Sequence, residues 1–288
     1  MLLNVSPDFL RSSRKANLLT SSIRISIYSK CLTPTNEPKV ELSSVEVCCL
    51  LADVSWVTPL SFVSNNSAEE GHIEVVKLLI ATNAVQLDVK DSSNHRTPLL
   101  SSLIEEYYSI SKLLLDSGAQ DIDRGDIISG GRTALSIAAE LGNETMCNAL
   151  LDTGKVNPNS KSTYNRTPLS YASESGATSI VRRLLNTEGV EPDLADTNYG
   201  RTPLSWAAAK GHFEVVQLLL QSPGVDVNSR DFMYKRTPRS WALAHKHRDV
   251  AHVIRKVEMP GVPDDAFEET VSSEELVSSE YDSDNDVI

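Results

Sequence analysis

The sequence predicts an all-α solenoid of about six helix-turn-helix repeats with flanking disordered segments, and two observations support this prediction. A Thr-Pro-Leu motif, varied to Thr-Ala-Leu at Thr133 and Thr-Pro-Arg at Thr237, recurs along the 288 residues, with its threonines at Thr58, Thr97, Thr133, Thr167, Thr202 and Thr237. The steps between them are 39, 36, 34, 35 and 35 residues, a period typical of stacked repeats. Each step also holds two short apolar segments of helical pattern, which neighbouring repeats must cover.

The unit from Arg201 to Arg236 shows how the first helix of a repeat is specified. Thr202 is a good N-cap, because its hydroxyl accepts from an amide of the first turn, and Pro203 suits the first helical position. The apolar residues that follow are small enough for a neighbouring helix to approach closely: Leu204, Ala207 and Ala208. Gly211-His212 ends the helix.

A second helix is expected over Phe213–Gln221 of the same unit. Its five valines and leucines are too many for one exposed amphipathic face, so we expect burial on two sides. Ser222-Pro223-Gly224 ends this helix, and Val225–Lys235 forms an extended loop before the next threonine. Each unit is therefore a helical hairpin with a projecting loop, and it requires stacking.

These residues resemble the ankyrin repeat. The resemblance rests on Thr-Pro-Leu, Ala-Ala, Gly-His, Glu-Val-Val-x-Leu-Leu-Leu and Val-Asp-Val-Asn, and it covers roughly residues 53–257. The repeats are expected near 53–90, 95–123, 131–159, 165–193, 200–228 and 235–257. The sequence Arg-Thr-Pro-Leu-Ser-Trp-Ala-Ala is similar to the repeat sequence of fungal ankyrin arrays. The resemblance implies a non-catalytic protein-binding scaffold.

Two units depart from the pattern. Thr58 and Gly71 are 13 residues apart, against 9 between Thr202 and Gly211, so a four-residue insertion is expected at Ser64–Ser67. The last unit has Arg239 where a core leucine belongs and a polar second helix, as expected of a C-terminal cap.

The net charge of −12 divides unevenly along the chain. Residues 1–44, a polar arm that we expect to be disordered, carry +3, and residues 45–229 carry −10. The last part of the repeat domain, 230–257, carries +6, and the tail 258–288 carries −11 without any lysine or arginine. We therefore predict three parts: an arm (1–44), an ankyrin domain (45–257) and an acidic disordered tail (258–288).

No enzyme is predicted. The sequence contains no Walker A, GxGxxG, GxSxG, HExxH or zinc-finger spacing, so no catalytic, cofactor or metal site is assigned. His245, His247 and His252 are interpreted as solvated residues rather than metal ligands, since no cysteine or carboxylate completes a set. The basic segment 230–257 could contact phosphates, but the acidic tail that follows it would compete with any polyanion and the whole protein is acidic, so nucleic acid is not the predicted partner.

The location is predicted to be intracellular, in the cytoplasm or nucleus. No apolar run reaches the ~20 residues of a membrane span, and no secretion signal is recognised. The four cysteines lack CxxC spacing and are interpreted as free thiols. Residues 1–30 also vaguely resemble a mitochondrial presequence, a weaker alternative.

Two aromatic series follow the repeat. Four residues after each threonine stand Phe62, Ser101, Ile137, Tyr171, Trp206 and Trp241, for which helix packing is the favoured interpretation and a ligand-facing ladder the alternative. Tyr164, Tyr199 and Tyr234 precede the threonines by three residues, at the projecting loop tips. We predict partner contact for these three, with local packing as the alternative, and place Asn94 and His95 in the matching earlier loop.

The tail carries three serines with an acid three residues later, a setting that acidophilic kinases prefer: Ser272, Ser279 and Ser283. They are predicted phosphorylation sites, with a merely solubilising tail as the alternative.

The predicted function is protein–protein interaction through the concave face and loop tips, by a monomer without a small-molecule substrate or membrane contact. One alternative is a regulatory inhibitor that uses the acidic tail to mask a basic partner such as a transcription factor. Another is a fragment of a larger NTPase-ankyrin protein.

Overall fold

The computed structural model describes residues 96–125 and 130–261, together with 73, 76, 77, 80, 81 and 86–90. Ten α-helices lie completely within these residues, residues 73, 76, 77, 80 and 81 are also helical, and no described residue is in a strand. The chain forms two compact units, Met1–Asp121 and Ile122–Ile288.

The first unit contains one complete described hairpin. Helix α1 (Pro98–Ile104) begins at Thr97, whose hydroxyl accepts from the amide of Leu100, and α2 (Tyr108–Asp116) follows after a short turn. The two helices pack together, and a hydrogen bond of 2.8 Å joins the Ser102 and Ser111 hydroxyls between them. In this repeat the structure places a serine pair where the others bury apolar side chains.

The second unit contains four hairpins that follow the predicted repeats. Their helices are α3 (Ala134–Glu140), α4 (Glu144–Asp152), α5 (Pro168–Ser175), α6 (Thr178–Leu185), α7 (Pro203–Lys210), α8 (Phe213–Gln221), α9 (Pro238–Ala244) and α10 (Arg248–Glu258). First helices pack in one row, α3 against α5, α5 against α7 and α7 against α9. Second helices form a parallel row, in which α8 contacts both α6 and α10. This gives α8 the burial on two sides that its composition predicts.

The threonine caps form as predicted. In all four hairpins of the second unit the threonine hydroxyl accepts from the amide three residues later, at 3.2–3.3 Å. Proline occupies the first helical turn after Thr167, Thr202 and Thr237. Each such cap contributes about 1 kcal/mol to helix stability.

The core lies between the two rows of helices. On the first helices it is built from small residues that are completely buried, including Ala138, Ala172, Ala207 and Ala242. On the second helices it is built from larger ones: Leu150, Leu184, Leu219 and Ile254. Alanine lets the first helices approach closely, and the leucines fill the wider space behind them.

The last hairpin ends with an ion pair instead of an apolar contact. Arg239 Nε lies 3.0 Å from Glu258 Oε2, and both side chains are largely shielded, with 13% and 8% of their surface exposed. The pair joins the first turn of α9 to the end of α10. Arg239 thereby satisfies its charge at the position where an internal repeat has leucine.

No helix in the described part of the chain has both the length and the hydropathy needed to cross a bilayer.

Candidate interaction surface

The projecting loops precede the first helices, and three of them are defined here as residues 160–166, 195–201 and 230–236, the last being the terminal loop. A buried aspartate organises each of the last two. Asp196 accepts from the indole Nε1 of Trp206 at 3.0 Å and from the amide of Tyr199 at 2.6 Å. Asp231 does the same for Trp241 Nε1, at 2.9 Å, and for the Tyr234 amide, at 2.6 Å. The aspartates thus tie each loop to its own first helix.

Successive loops are also joined through their backbones. The Thr163 amide donates to the Gly130 carbonyl at 2.7 Å, and the Thr197 amide to the Tyr164 carbonyl at 2.8 Å. The Phe232 amide donates to the Tyr199 carbonyl at 2.6 Å. In each case the accepting carbonyl belongs to the residue three positions before the capping threonine. Because the same hydrogen bond recurs from loop to loop, the loops form one continuous edge.

The three tyrosines predicted to contact a partner all lie on this edge, but their side chains are not equally exposed. Tyr164 is 54% exposed and Tyr234 46%, whereas Tyr199 is only partly exposed. Tyr199 packs edge-on against Trp206 at 6.0 Å between ring centroids, and Tyr234 against Trp241 at 5.6 Å. Local packing therefore accounts for one side of these two rings.

The terminal loop adds exposed apolar side chains that the sequence pattern did not single out. Phe232 is 58% exposed and Met233 62%. Together with Tyr164 and Tyr234 they make four of the seven large hydrophobic residues that are exposed in the described part of the chain, so the loop edge concentrates this surface. The departure of Phe232-Met233 from the polar Thr197-Asn198 of the preceding loop was the available signal.

The second aromatic series packs inside the row of first helices. Tyr171, Trp206 and Trp241 are only 6%, 7% and 2% exposed. Arginines lie between the rings: the guanidinium carbon of Arg166 is 4.2 Å from the Tyr171 centroid and 4.3 Å from that of Trp206. Arg201 lies 4.7 Å from Trp206 and 3.7 Å from Trp241.

This alternating ladder agrees with the packing interpretation of that series, since the ring faces are covered by cations. The arginine that precedes every threonine except Thr58 was visible in the sequence, but its role depends on two repeats at once. The ladder therefore stiffens the frame beneath the loops instead of offering rings to a ligand.

Polar side chains that precede the loops in the chain form a second set of hydrogen bonds between repeats. The Asp88 carboxylate accepts from the amides of Gln120 and Asp121 at 3.1 Å. The Asn159 side-chain oxygen accepts from the Glu191 amide at 3.0 Å. Asp193 receives the backbone amide of Asp226 in the same way, yet burial and the Asp226 charge raise the pKa of Asp193 to about 6. Burial and the Asp226 charge thus oppose the ionisation of Asp193 at this link.

Three of the described histidines make contacts within the fold: His212, His245 and His247. His212 donates through Nε2 to the Glu174 carbonyl at 2.9 Å, and so joins two adjacent repeats. His245 stacks on Trp241 at 5.7 Å and on His247 at 6.4 Å. Among the described residues, no group of three or more His, Cys, Asp or Glu side chains is arranged to hold a metal ion.

Several predicted sites lie outside the described residues: Asn94, His95, Ser272, Ser279, Ser283 and the insertion at Ser64–Ser67. They stay predictions.

Stacked helical hairpins with loops joined along one edge define a repeat protein of the solenoid class. A profile described as ankyrin repeats in three copies matches residues 64–162, 135–231 and 195–258. The chain belongs to the ankyrin repeat family, and the predicted family and all-α ankyrin fold are confirmed. Ankyrin repeats are general protein–protein interaction modules.

Comparison with a solved structure also identifies the ankyrin fold. The crystal structure of the ankyrin repeat domain of Bcl-3, described as a unique member of the IkappaB protein family, is 26% identical to this chain. The match covers 69% of this chain and 86% of that one, with a TM-score of 0.55. No curated protein matches the sequence significantly.

Proposed function

We propose that this protein binds a protein partner along the edge formed by its projecting loops, beside the row of first helices. The observation that supports this most directly is the concentration of exposed apolar side chains at the loops, Tyr164, Phe232, Met233 and Tyr234. Exposed apolar groups on a soluble frame are typical of contact surfaces, and tyrosine and methionine are enriched there.

The frame beneath the loops favours the same proposal. Loop-to-loop hydrogen bonds, the buried Asp196 and Asp231 and the arginine–aromatic ladder hold the edge in place before any partner arrives. A rigid surface loses little conformational entropy on binding, so a few exposed side chains suffice for specific contact.

Affinity capture with three full-length proteins tests the proposal. The wild type is compared with Tyr164→Ser/Met233→Ser, which removes exposed side chains at the edge. The matched control is Leu141→Ser, which removes an equally apolar residue, 40% exposed, at the opposite end of α3. These positions are preferable to Tyr199 because that ring also packs on Trp206.

We expect partners from the source organism's lysate, quantified by mass spectrometry, to bind the wild type and Leu141→Ser alike. The loop variant should bind at least about tenfold less, which corresponds to about 1.4 kcal/mol of contact energy. A partner that binds the loop variant as well as the wild type would refute the assignment of the edge.

A second candidate function is regulatory inhibition of a basic partner through the acidic tail. It is supported by the eleven acidic residues of 258–288 and by the similarity to the Bcl-3 domain, which is itself described as a member of the IkappaB protein family. Binding through the tail should weaken steeply between low and high salt. Salt-insensitive capture, unchanged when the acids of 280–286 are replaced by their amides, would favour the loop edge alone.

A further inference from the structure

The terminal loop keeps the frame of the preceding loop but changes the side chains that it exposes. Three of its residues have the same type as their counterparts in 195–201, at the same distance from the capping threonine: Asp231, Tyr234 and Arg236. The other four replace Ala195, Thr197, Asn198 and Gly200, and all four are exposed: Arg230, Phe232, Met233 and Lys235. The last repeat therefore adds two cations and two large apolar side chains to the edge.

Lys235 lies in a backbone conformation that suits a lysine poorly. Its φ is +55°, in the left-handed region, where the preceding loops have Asn165 with φ +61° and Gly200 with φ +74°. Glycine and asparagine adopt this conformation readily, whereas other side chains there lower the stability of the fold. A strained residue with an exposed side chain indicates a role at the surface and not in folding.

Two of the four exposed side chains are held in place by the frame. Arg230 Nη1 donates to the carbonyl of Lys235 at 3.0 Å, which keeps its guanidinium beside that lysine. The ring of Phe232 lies against the preceding loop, since a Cβ on Gly200 would lie 2.7 Å from its Cδ1. The cations and the apolar side chains are thus positioned before any partner binds, which lowers the entropy lost on binding.

The charges that the loops expose have one sign. Residues 160–166, 195–201 and 230–236 expose no acidic side chain, although two of these loops contain an aspartate. Asp231 is 1% exposed, and its two oxygens accept from the amides of Tyr234 and Arg236 and from the indole of Trp241. The exposed charged residues of the three loops are all cations: Lys161, Arg230 and Lys235. In a chain of net charge −12, this edge is therefore locally positive and attracts negative groups.

We propose that the terminal loop binds an acidic segment of another protein. Carboxylates of this segment pair with Arg230 and Lys235, and an apolar side chain between them packs on Phe232 and Met233. The inference rests on the proposed function, because it names the class of partner for the same edge. An arginine fixed at one nitrogen still offers the parallel hydrogen bonds that a carboxylate accepts. A nucleic acid fits less well, because its affinity grows with the number of phosphates neutralised and this loop offers two cations.

Selection of displayed peptides on the full-length protein tests the inference. Random peptides of about twelve residues are selected on the wild type, and those that bind Phe232→Ser/Met233→Ser at least about tenfold more weakly are assigned to the terminal loop. We expect the assigned peptides to be acidic, with a mean net charge of about −2 or lower, and to contain a large apolar residue.

Charge reversal in the loop should abolish this preference. The assigned peptides should bind Arg230→Glu/Lys235→Glu at least about tenfold more weakly than the wild type. The control Lys155→Glu/Arg182→Glu, the same charge change at exposed positions outside the three loops, should bind them like the wild type. Equal binding to the loop variant and the control would overturn the inference.

The remaining outcomes separate this inference from the proposed function. Assigned peptides that are neutral or basic would overturn the inference and leave the proposed function standing, whereas the absence of any assigned peptide would count against both. Acidic peptides that are selected only after the acids of 264–286 are replaced by their amides would place the chain's own tail on the loop and contradict the proposal. Oligothymidylate of about twelve nucleotides that binds as tightly as the best peptide would favour nucleic acid and also contradict it.

A pair of single substitutions separates binding from stability. Lys235→Gly removes one cation and relieves the left-handed strain, so it should preserve or raise the urea midpoint while it weakens binding of an assigned peptide about fivefold. Lys246→Gly is the matched control, because Lys246 is also exposed, has φ +65° and lies at the opposite end of α9. This control should leave peptide binding unchanged. Equal weakening in both variants would indicate an effect of overall charge and contradict the proposal.

Discussion

Gly176 lies at the turn between α5 and α6 with φ +75°, and the imidazole of His212 from the next repeat lies directly over it. A Cβ at this position would lie 2.6 Å from both Cε1 and Nδ1 of that ring. Gly142, at the same turn of the preceding repeat, has φ +67°, and a Cβ there would meet nothing within 4 Å. Alanine substitutions at Gly142 and Gly176 therefore separate the cost of backbone strain from the cost of a collision with the next repeat.

The expected magnitudes follow from these contacts. Alanine in the left-handed region costs roughly 1–2 kcal/mol, of which about 0.4–1 is offset by its smaller entropy in the unfolded chain, so Gly142→Ala should lose about 1 kcal/mol. Gly176→Ala also displaces His212 and breaks its 2.9 Å hydrogen bond to the Glu174 carbonyl, worth about 1 kcal/mol. With the lost ring packing we expect a total of about 2–3 kcal/mol.

Urea unfolding, followed by circular dichroism, measures both variants and Gly176→Ala/His212→Ala. If the collision is responsible, the double variant should be more stable than the sum of the single changes predicts, by about 1 kcal/mol. Equal losses in Gly176→Ala and Gly142→Ala would refute the idea that His212 requires the glycine.

Three further predictions concern buried groups. Because the pKa of Asp193 is raised to about 6 from 3.8, its folded form holds the proton more tightly, and its contribution to stability falls as pH rises from about 4 to 6. Asp193→Asn should therefore raise the free energy of unfolding at pH 7 by about 1–2 kcal/mol, allowing for solvent screening, and leave it unchanged near pH 3. A lower free energy of unfolding at pH 7, measured by urea titration, would contradict this. Arg201→Lys should lower the urea midpoint by the equivalent of about 1–2 kcal/mol, because lysine cannot stack between two indoles. In the control Arg132→Lys the midpoint should change by less than about 0.5 kcal/mol, because the guanidinium carbon of Arg132 lies 5.9 Å from the Tyr171 ring centroid. Burial raises the pKa of Cys147 to about 12, so iodoacetamide at pH 8 should alkylate this thiol only after urea unfolding, as peptide mapping would show; rapid alkylation of the native protein would disprove its burial.

The repeat and its caps could be read from the sequence because their causes are local. Thr202 caps α7 and Pro203 starts it through contacts within one turn of helix, and the period of these landmarks alone requires stacking. The positions of the loop tyrosines were equally readable, since a tip is defined by its distance from the threonine.

Which side chains the surface offers was decided only by tertiary structure. Tyr199 packs against Trp206 while Tyr164 is exposed, although both stand three residues before a threonine. Arg201 lies between indoles of two different repeats, a contact that no single repeat contains. Periodicity assigns the same environment to every repeat, but exposure depends on which residue the neighbouring repeat places opposite, and that choice varies from one repeat to the next.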